Sequence, residues 1–566
     1  MIRFILSGAF LVASVTAAGA GCVGSSCLTP SLTQSESMFG AIERQFPQYF
    51  STPSDTQIIL SGNDTAYYRT YNNQFGTGLA TFQGSLWYSA SAFWQRFGSL
   101  DDADRVFCGS GCLSSIPTVS QSGVFRGNIV LGAPTASSIK ANIYSPDQSG
   151  TVSITYGTSS GSYEKESASA SLTAGKPLEL SLEGLSPNTR YYYRLNYRSA
   201  DGTVSVSAGE YRFHTARTAG STFTFAIQGD SHPEREKTQF NADLYRRTLL
   251  TSAADLPDFY LAIGDDFSVD TLNPKTVTAA QVAERYAIQR PYLGLIGNSA
   301  PVFLVNGNHE QAARYLLDGT ENNVAVWAQN ARNSFYSQPA PDSFYSGNPE
   351  QVPFIGLLRN HFAWTWGDAL FVVIDPYWSS SVCVDNQFYG DAKRSNLWDV
   401  THGDAQYQWL KATLEQSTAK HKFVFAHHVM GSGRGGIELA GLYEWGGLSA
   451  KGANEFAAKR PNWAMPIHQL MAANGVSIFF QGHDHIWVRQ QLDGVTYQTL
   501  PEPADPNYSL FNSDAYLSGD KYPNSGYTRV TVSPSAVKVD YVRTWLPADE
   551  GSGKVSGSTA FSYTLK

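Results

Sequence analysis

Five apolar segments each run directly into a short polar cluster, and no other feature of the sequence restricts the fold as much. The segments are FTFAIQ, DFYLAI, PVFLVN, KFVFA and VSIFFQ. Strands that are covered on both faces of a sheet have this nearly continuous apolar composition. Amphipathic helical patterns lie between the segments, so the chain from residue 221 onward is predicted to be an α/β domain.

The polar clusters are rich in aspartate and histidine. They occupy residues 229–232, 264–266, 307–310, 427–428 and 482–485. Ligands bind outside the carboxyl ends of the strands in α/β sheets, so the clusters are predicted to converge on one site. One such cluster alone would indicate only a cap or a turn. Five of them, rich in carboxylate and imidazole, suit zinc, iron or manganese, and they suffice for two ions that share one carboxylate.

Residues 124–217 have a different pattern. Short segments such as SSIKANIYS, GTVSITYGT and TRYYYRLNYRS are separated by Gly, Ser, Pro and Asn, and several alternate apolar with polar residues. This spacing is typical of a β-sandwich. The sequence therefore predicts a multi-domain chain, with a signal peptide at 1–20, an N-terminal region of unknown role at 21–123, the sandwich at 124–217 and the α/β domain at 218–566.

The N-terminus is typical of an exported protein. Arg3 precedes an apolar run at residues 4–15, and small residues follow near Ala20. This arrangement predicts a secretory signal and a secreted or periplasmic protein, the alternative being a buried N-terminal helix. Cys22 also allows a lipid anchor, although Gly19 stands where a lipobox usually has leucine. No later segment is long and apolar enough for a transmembrane helix.

Charge and composition exclude two classes of protein. The formal net charge is −8, and no basic cluster indicates a nucleic-acid-binding surface. Hydrophobic residues make up 42% of the chain and charged residues 16%, a balance that excludes a disordered chain. The chain is therefore expected to fold into domains with large apolar cores.

The series GDSH, GDD, GNHE, HH and GHDH resembles the motif series of the calcineurin-like metallophosphoesterases. The predicted sandwich narrows the resemblance to the purple acid phosphatase-like branch, whose members carry a fibronectin type III-like domain before the catalytic domain. The stretch LEGLSPNTRYYYRL resembles a corner of such a domain. The resemblance covers about residues 124–545. It implies a catalytic domain with a β-sandwich core flanked by helices.

The resemblance also implies a set of metal ligands. Carried over motif by motif, the first ion would be held by Asp230, His232 and His485, the second by Asn308, His427 and His483, with Asp265 as the bridge. The two ions would be divalent or trivalent, drawn from iron, zinc and manganese. Glu310 is expected to orient a neighbouring group, and Asp266, Asp484 and His428 are expected to lie outside the ligand set.

Three further residues are expected to serve the substrate. Asn308 and His309 would lie beside the phosphate, and His309 would protonate the leaving alkoxide, the alternative being a supporting hydrogen bond. Arg434 lies in the loop after His427. It either contacts a phosphate through paired donors or is a solvated loop residue.

One position departs from the purple enzymes. They carry a tyrosine three residues after the bridging aspartate, which binds ferric iron and gives the colour. Ser268 occupies that position here, and His232 stands in a motif where those enzymes tend to lack histidine. We expect imidazole to replace phenolate as a ligand, which predicts a colourless protein.

The resemblance implies a metal-dependent phosphoric ester hydrolase that acts on a small phosphate ester. Hydrolysis of phosphate monoesters, through in-line attack by a metal-activated hydroxide, is the first expectation because the domain order resembles that of the acid phosphatases. A phosphodiesterase or a nucleotidase with the same metal site is the alternative. A non-catalytic surface-binding protein is a further alternative, although such a decayed enzyme usually lacks some of the motifs.

Overall fold

The computed structural model describes residues 125–202, 209–236, 238–385, 396–429 and 433–566, with the backbone of residues 205–207 and of three hairpins nearer the N-terminus. The hairpins pair β1 (Cys22–Val23) with β2 (Ser26–Cys27), β3 (Thr56–Ser61) with β4 (Thr65–Thr70), and β5 (Leu79–Phe82) with β6 (Ser85–Tyr88). The predicted signal peptide lies outside these residues. No helix in the described part of the chain is long and apolar enough to span a bilayer.

The region that follows is built from strands, as the sequence predicts. Its strands are β7 (Asn128–Gly132), β8 (Ile139–Tyr144), β9 (Gly150–Gly157), β10 (Lys165–Glu166), β11 (Ala170–Leu172), β12 (Leu178–Leu182), β13 (Arg190–Ser199), β14 (Ser205–Ser207) and β15 (Tyr211–His214). One antiparallel sheet has the order β12-β8-β7, and the other strands form a six-stranded sheet. The packing of these sheets as a fibronectin type III-like sandwich stays a prediction.

The α/β domain begins with β16. Its strands are β16 (Phe223–Gln228), β17 (Tyr260–Ala262), β18 (Val302–Leu304), β19 (Ser346–Gly347), β20 (Gln351–Val352), β21 (Gly356–Leu357), β22 (Phe362–Trp366), β23 (Ala369–Val373), β24 (His421–Phe425), β25 (Ile478–Gln481), β26 (Trp487–Leu492), β27 (Val495–Thr499), β28 (Asp520–Tyr522), β29 (Gly526–Ser533), β30 (Ala536–Arg543) and β31 (Thr559–Leu565). The helices are Ala242–Ala254, Ala279–Ile288, Arg290–Gly297, Val324–Phe335, Gly403–Gln416, Ile437–Ala440, Tyr443–Gly446, Phe456–Lys459 and Ile467–Ala473.

The five predicted strands divide between two sheets. β16, β17 and β18 are parallel neighbours in a six-stranded sheet of order β18-β17-β16-β29-β30-β31. β24 and β25 are parallel neighbours in an eight-stranded sheet of order β19-β22-β23-β24-β25-β27-β26-β28. In the first of these sheets, β29 and β30 form an antiparallel pair joined by a short turn.

The two sheets pack face to face through an aromatic core. Phe225 of the first sheet lies 5.3 Å from Phe371 and 5.7 Å from Phe423 of the second, measured between ring centroids. All three rings are fully buried. Rings at this separation add their own attraction to the burial of apolar surface. The contact between the sheets confirms the β-sandwich core that the family resemblance implies.

Helices cover the outer face of each sheet. Tyr245 and Leu249, on the helix Ala242–Ala254, share one buried cluster with residues of β16 to β18. Leu410 and Leu414, on the helix Gly403–Gln416, share another with residues of β23 to β25. The spacing of four residues places each pair on one face of its helix. This layering fixes the ends of β16, β17, β18, β24 and β25, where the polar clusters begin.

Candidate metal centre

The polar clusters leave their strands through tight loops that bring their backbones into contact. Gly264 has a φ of 101°, and a Cβ atom there would lie 2.7 Å from the backbone nitrogen of Gly307. A Cβ on Gly307 would lie 2.2 Å from Oδ1 of Asp265. Both positions therefore require glycine. The close approach of these two loops places Asp265 beside the cluster that follows β18.

Four of the predicted ligands have strained backbones. The φ angles of His232, Asp265, His483 and His485 are 44°, 60°, 67° and 54°. These values lie in the left-handed region of backbone conformation, which residues other than glycine rarely adopt. Such strain persists only where the surrounding structure determines it, and it concentrates at functional sites. The loops thus turn sharply enough to direct these side chains into one place.

The structure brings the residues of the first predicted ligand group together. Ligand atoms of Asp230, His232 and His485 all lie within 4.8 Å of one another, and the three side chains are buried. Nε2 of His485 is 3.1 Å from Oδ2 of Asp230. Oδ1 of Asp230 accepts a hydrogen bond of 2.8 Å from the backbone N–H of His483, which ties this group to the second one.

The second predicted ligand group lies on the other side of Asp265. Oδ1 of Asn308 is 3.1 Å from Nδ1 of His483, and the rings of His427 and His483 are 5.2 Å apart. Nδ1 of His427 donates to the carbonyl oxygen of Ile263 at 2.8 Å. Because a carbonyl only accepts, this contact leaves the lone pair of His427 on Nε2, which faces the carboxylate of Asp265.

Asp265 lies between the two groups. Its Oδ2 atom is 2.9 Å from Nε2 of His427 in the second group and 4.0 Å from Nε2 of His232 in the first. Its Oδ1 atom accepts from the backbone N–H of His309 at 2.9 Å. Burial opposes ionisation, but the neighbouring imidazoles of His309 and His427 outweigh it and hold the pKa of Asp265 well below its usual range.

The donor set fits metal ions. Oδ2 of Asp230, Nε2 of His232 and Nε2 of His427 are buried and make no hydrogen bond among the described residues. Buried polar atoms are almost always hydrogen-bonded, so exceptions gathered at one point call for an unseen partner. Burial lowers the pKa of His232 to about 4, which keeps this imidazole neutral with a free lone pair. Two anionic carboxylates and several imidazole nitrogens would satisfy zinc, iron or manganese.

Three acidic residues outside the predicted set contact the outer nitrogens of the ligand histidines. Nδ1 of His232 lies 3.0 Å from Oε1 of Glu234, and Nδ1 of His485 lies 2.8 Å from Oε2 of Glu502. Nε2 of His483 lies 3.0 Å from Oδ2 of Asp385. A carboxylate behind a histidine favours the tautomer whose other nitrogen is free to bind metal. Only Glu234, two residues after His232, has a position in sequence that could have indicated this role.

Glu310 holds the loops together. Its carboxylate accepts hydrogen bonds from the backbone N–H groups of Gly307, Asp265, Asp266 and Phe267, over distances of 2.6 to 3.2 Å. Burial and the charge of Asp265 raise the pKa of Glu310 to about 7. Glu310 thus orients the loop that carries the bridging candidate, as the sequence predicts.

The second aspartate of the GDD motif has a different environment from the first. Asp266 is buried, and its Oδ1 accepts from Oγ of Ser231 at 2.5 Å and from Nε2 of Gln228 at 2.8 Å. Burial raises the pKa of Asp266 well above its usual value. It is therefore a buried residue that supports the loop through its hydrogen bonds to Ser231 and Gln228.

Ser268 lies next to the histidine proposed to replace the tyrosine ligand. Its Oγ atom is 3.3 Å from Nδ1 of His232, on the side of the ring that faces away from Asp265. The hydroxyl therefore supports the imidazole, and the imidazole faces the candidate centre. This arrangement agrees with the expected exchange of a phenolate for a histidine ligand.

His309 lies beside the ligand groups, and its ligand atom lies within 4.8 Å of those of His232 and Asp265. Its Nδ1 is 2.8 Å from Oδ2 of Asp270, and its Nε2 is 3.6 Å from Oδ2 of Asp265. Burial would lower its pKa, but the charges of Asp265 and Asp270 outweigh burial and raise the pKa of His309 to about 9. The side chain is 19% exposed, so a bound substrate could reach it.

Arg434 is exposed, and one nitrogen of its guanidinium is bound by the protein. Its Nη1 donates to the carbonyl oxygen of His483 at 2.8 Å and to Oδ1 of Asp484 at 3.1 Å. Oδ2 of Asp484 accepts from the backbone N–H of Gly435 and from the hydroxyl of Tyr516. Asp484 thus points away from the ligand groups, as the sequence predicts, and fixes the loop that carries Arg434.

His428 lies closer to the second group than the sequence suggests. Its ring stacks on that of His483 with centroids 4.2 Å apart and planes inclined by 15°. Ligand nitrogens of His427, His428 and His483 all lie within 4.8 Å of one another, so His428 is close enough to share an ion with this group. That His428 lies outside the ligand set stays a prediction.

Comparisons with known proteins find a family model and similar folds. Residues 223–487 match the family model described as calcineurin-like phosphoesterase. Among solved structures, PhoD is similar with a TM-score of 0.53 and 16% identity, over 78% of this chain and 90% of that chain. Purple acid phosphatase PPD1 from yellow lupin, Lupinus luteus, is similar with a TM-score of 0.49 and 15% identity, over 77% and 73% of the two chains. A comparison with curated proteins finds no match.

The matched residues begin at the first residue of β16 and end at the first residue of β26. They include all five polar clusters and the strands that position them. The likeness to PhoD agrees with this assignment at the level of the fold. The chain therefore carries a domain of the calcineurin-like phosphoesterase family, the domain of a metal-dependent phosphoric ester hydrolase.

Proposed function

We propose that the chain is an exported phosphomonoesterase with two metal ions. The position of Asp265 carries this proposal, because its Oδ2 faces an imidazole of each ligand group, at 2.9 Å and 4.0 Å. A carboxylate oxygen placed between two sets of nitrogen and oxygen ligands suits a bridge between two cations. If only one ion were bound, one of the two ligand groups would have no cation to bind.

In this proposal each ion has its own ligands. Asp230, His232 and His485 would hold one ion, Asn308, His427 and His483 would hold the other, and Asp265 would bind both. When bound, two such ions activate a water for attack on phosphorus and neutralise the phosphoryl oxygens. Asn308 is a neutral ligand, so it adds no negative charge near an anionic substrate.

His309 has the position of a proton donor. Nδ1 is held by Asp270 at 2.8 Å, which leaves Nε2 directed toward the ligand groups. A protonated imidazole can give its Nε2 proton to the leaving oxygen while the P–O bond breaks. Asp270 maintains the orientation of the ring and balances the positive charge that the reaction consumes.

A phosphate monoester is the substrate class proposed for this site, with a phosphodiester or a nucleotide as the alternative. The test is a panel of monoester, diester and nucleotide substrates given to protein whose metal content has been measured. We expect the highest kcat/KM for a monoester. A higher value for a diester would overturn the choice of substrate. Protein that stays inactive with added zinc, manganese and iron would favour the non-catalytic alternative.

Export rests on the N-terminal sequence alone. We expect the mature protein to begin near residue 21, after the small residues that follow the apolar run. Mass spectrometry of protein recovered from the producing cells measures this directly. A mature chain that begins at Met1 would contradict export, and a lipid-modified Cys22 would support the anchored form.

A further inference from the structure

Arg235 lies at the edge of the candidate metal centre. It ends a short 3-10 helix, Pro233–Arg235, that starts directly after His232. Its Nη2 atom is 3.4 Å from Nε2 of His309, the nitrogen that faces Asp265. The side chain is 26% exposed, so the guanidinium is accessible to a molecule that enters the site.

The guanidinium is held in place by its other nitrogens. Nη1 donates to Oε1 of Gln239 at 2.6 Å, and Nε lies 3.4 Å from Oε1 of Glu234. The same oxygen of Glu234 is 3.0 Å from Nδ1 of His232, so this carboxylate is shared between two partners. An arginine fixed in this way loses little conformational freedom when it binds an anion.

The other arginine near the site is less suited to this task. Nη1 of Arg434 donates to the carbonyl oxygen of His483 and to Asp484, and the contacts of the described residues do not link Arg434 to His309. Arg235, in contrast, directs Nη2 to the histidine proposed to donate a proton to the leaving group. The structure therefore favours Arg235 over Arg434 as the arginine that meets the phosphate.

We propose that Arg235 binds a phosphoryl oxygen of the substrate beside His309 and thereby selects monoesters over diesters. This inference rests on the proposed phosphoesterase activity. A monoester carries close to two negative charges at neutral pH, whereas a diester carries one. Arginine is charged at every pH at which proteins fold, so it stabilises the dianion of a monoester more than the monoanion of a diester. In a diester, the second substituent also replaces one of the oxygens that a guanidinium could contact.

The test compares Arg235→Ala with the wild-type enzyme on p-nitrophenyl phosphate and on bis(p-nitrophenyl) phosphate. We expect kcat/KM for the monoester to fall by about tenfold or more, the effect of losing a charge-assisted hydrogen bond. The value for the diester should fall by a clearly smaller factor. Inhibition by inorganic phosphate should weaken in parallel with the loss on the monoester. Arg235→Lys keeps the charge without the planar fork, so it should recover part of the selectivity.

Two further variants serve for comparison. Arg246→Ala removes an exposed arginine of the helix Ala242–Ala254 that pairs with Asp243, and it should change neither kinetic value. Arg434→Ala tests the rival residue, and a selective loss on the monoester in this variant alone would overturn the proposal. Metal content is measured in each variant by mass spectrometry, because Glu234 links Arg235 to His232.

The outcomes separate this inference from the proposed function. Equal losses on the two substrates, or a loss of metal from Arg235→Ala, would mean that Arg235 only supports the centre and would overturn the inference. Undiminished phosphate inhibition in Arg235→Ala would do the same. In both cases the wild-type enzyme would still hydrolyse esters. A metal-loaded wild-type protein that hydrolyses neither ester would overturn the proposed function and the inference together.

Discussion

Oδ2 of Asp265 and Nε2 of His427 lie 2.9 Å apart in a fully buried setting. The two residues are 162 positions apart along the chain and leave different sheets, Asp265 after β17 and His427 after β24. Their approach shows that the two sheets of the sandwich each supply part of one site. This contact supports the proposal that one carboxylate joins two ligand groups.

His309 is predicted to affect turnover and not metal binding. His309→Ala should lower kcat by about 10²–10⁴-fold, the usual contribution of a general acid, while metal content stays at the wild-type level. The loss should be smaller for esters of acidic alcohols, whose leaving oxygen needs no proton. Loss of an ion from His309→Ala, measured by elemental analysis, would show instead that His309 is a ligand.

Glu502 is predicted to strengthen metal binding through His485. Glu502→Gln keeps the size of the side chain but removes the charge that lies 2.8 Å from Nδ1 of His485. Such supporting carboxylates typically contribute about 10–100-fold to metal affinity or activity. Titration of the loaded protein with a chelator should therefore remove metal from the variant at a lower concentration. Glu415→Gln, on an exposed helical position paired with Lys411, is the control and should match the wild type.

Ser268 is predicted to leave the protein colourless when iron is bound. Its hydroxyl lies 3.3 Å from the outer nitrogen of His232, so it supports an imidazole ligand instead of supplying a phenolate. Visible absorption of the iron-loaded protein measures this directly. A strong band of the kind that tyrosinate gives with ferric iron would contradict the exchange of ligands.

Glu444 is predicted to stabilise the fold away from the metal centre. Its buried carboxylate lies 2.6 Å from Nδ1 of His402 and accepts from Nε of Arg460 at 2.9 Å. Burial would raise the pKa of Glu444, but His402 and Arg460 outweigh it and lower the pKa. Replacing one member of such a buried group typically costs about 3–5 kcal/mol.

The lowered pKa of Glu444 also determines how its contribution to the stability of the fold depends on pH. A carboxylate with a lowered pKa stabilises the folded state above its unfolded pKa, about 4.3, and loses that effect as the pH falls through the folded value. Thermal unfolding of wild type and Glu444→Gln should therefore differ most near neutral pH and converge in acid. A difference that stays constant from pH 7 to pH 3 would contradict this origin.

Much of the site could be predicted from sequence because its ligands follow strands directly. Asp230, Asp265, Asn308, His427 and His483 each come within four residues of the end of a strand. An apolar run followed by a polar cluster is visible in a single sequence, so local patterns sufficed to group these residues. The motif series then supplied the division into two ligand groups.

The supporting residues could not be predicted in the same way. Asp385 and Glu502 lie in separate loops, and only the folded chain brings them to the outer nitrogens of His483 and His485. The division of the five strands between two sheets could not be predicted from the sequence either, because strands buried on both faces have the same apolar composition in either sheet. Arg235 and Arg434 both follow ligand histidines closely, and only their contacts distinguish them.

The most direct test of the account is the number of metal ions bound by the wild-type protein and by Asp265→Ala, measured by elemental mass spectrometry after removal of loosely bound ions. We expect about two ions per chain in the wild type, as for a two-metal site, and fewer than about one in the variant. An unchanged metal content in Asp265→Ala would contradict the bridge. A single ion per wild-type chain, with full activity, would contradict the binuclear centre itself.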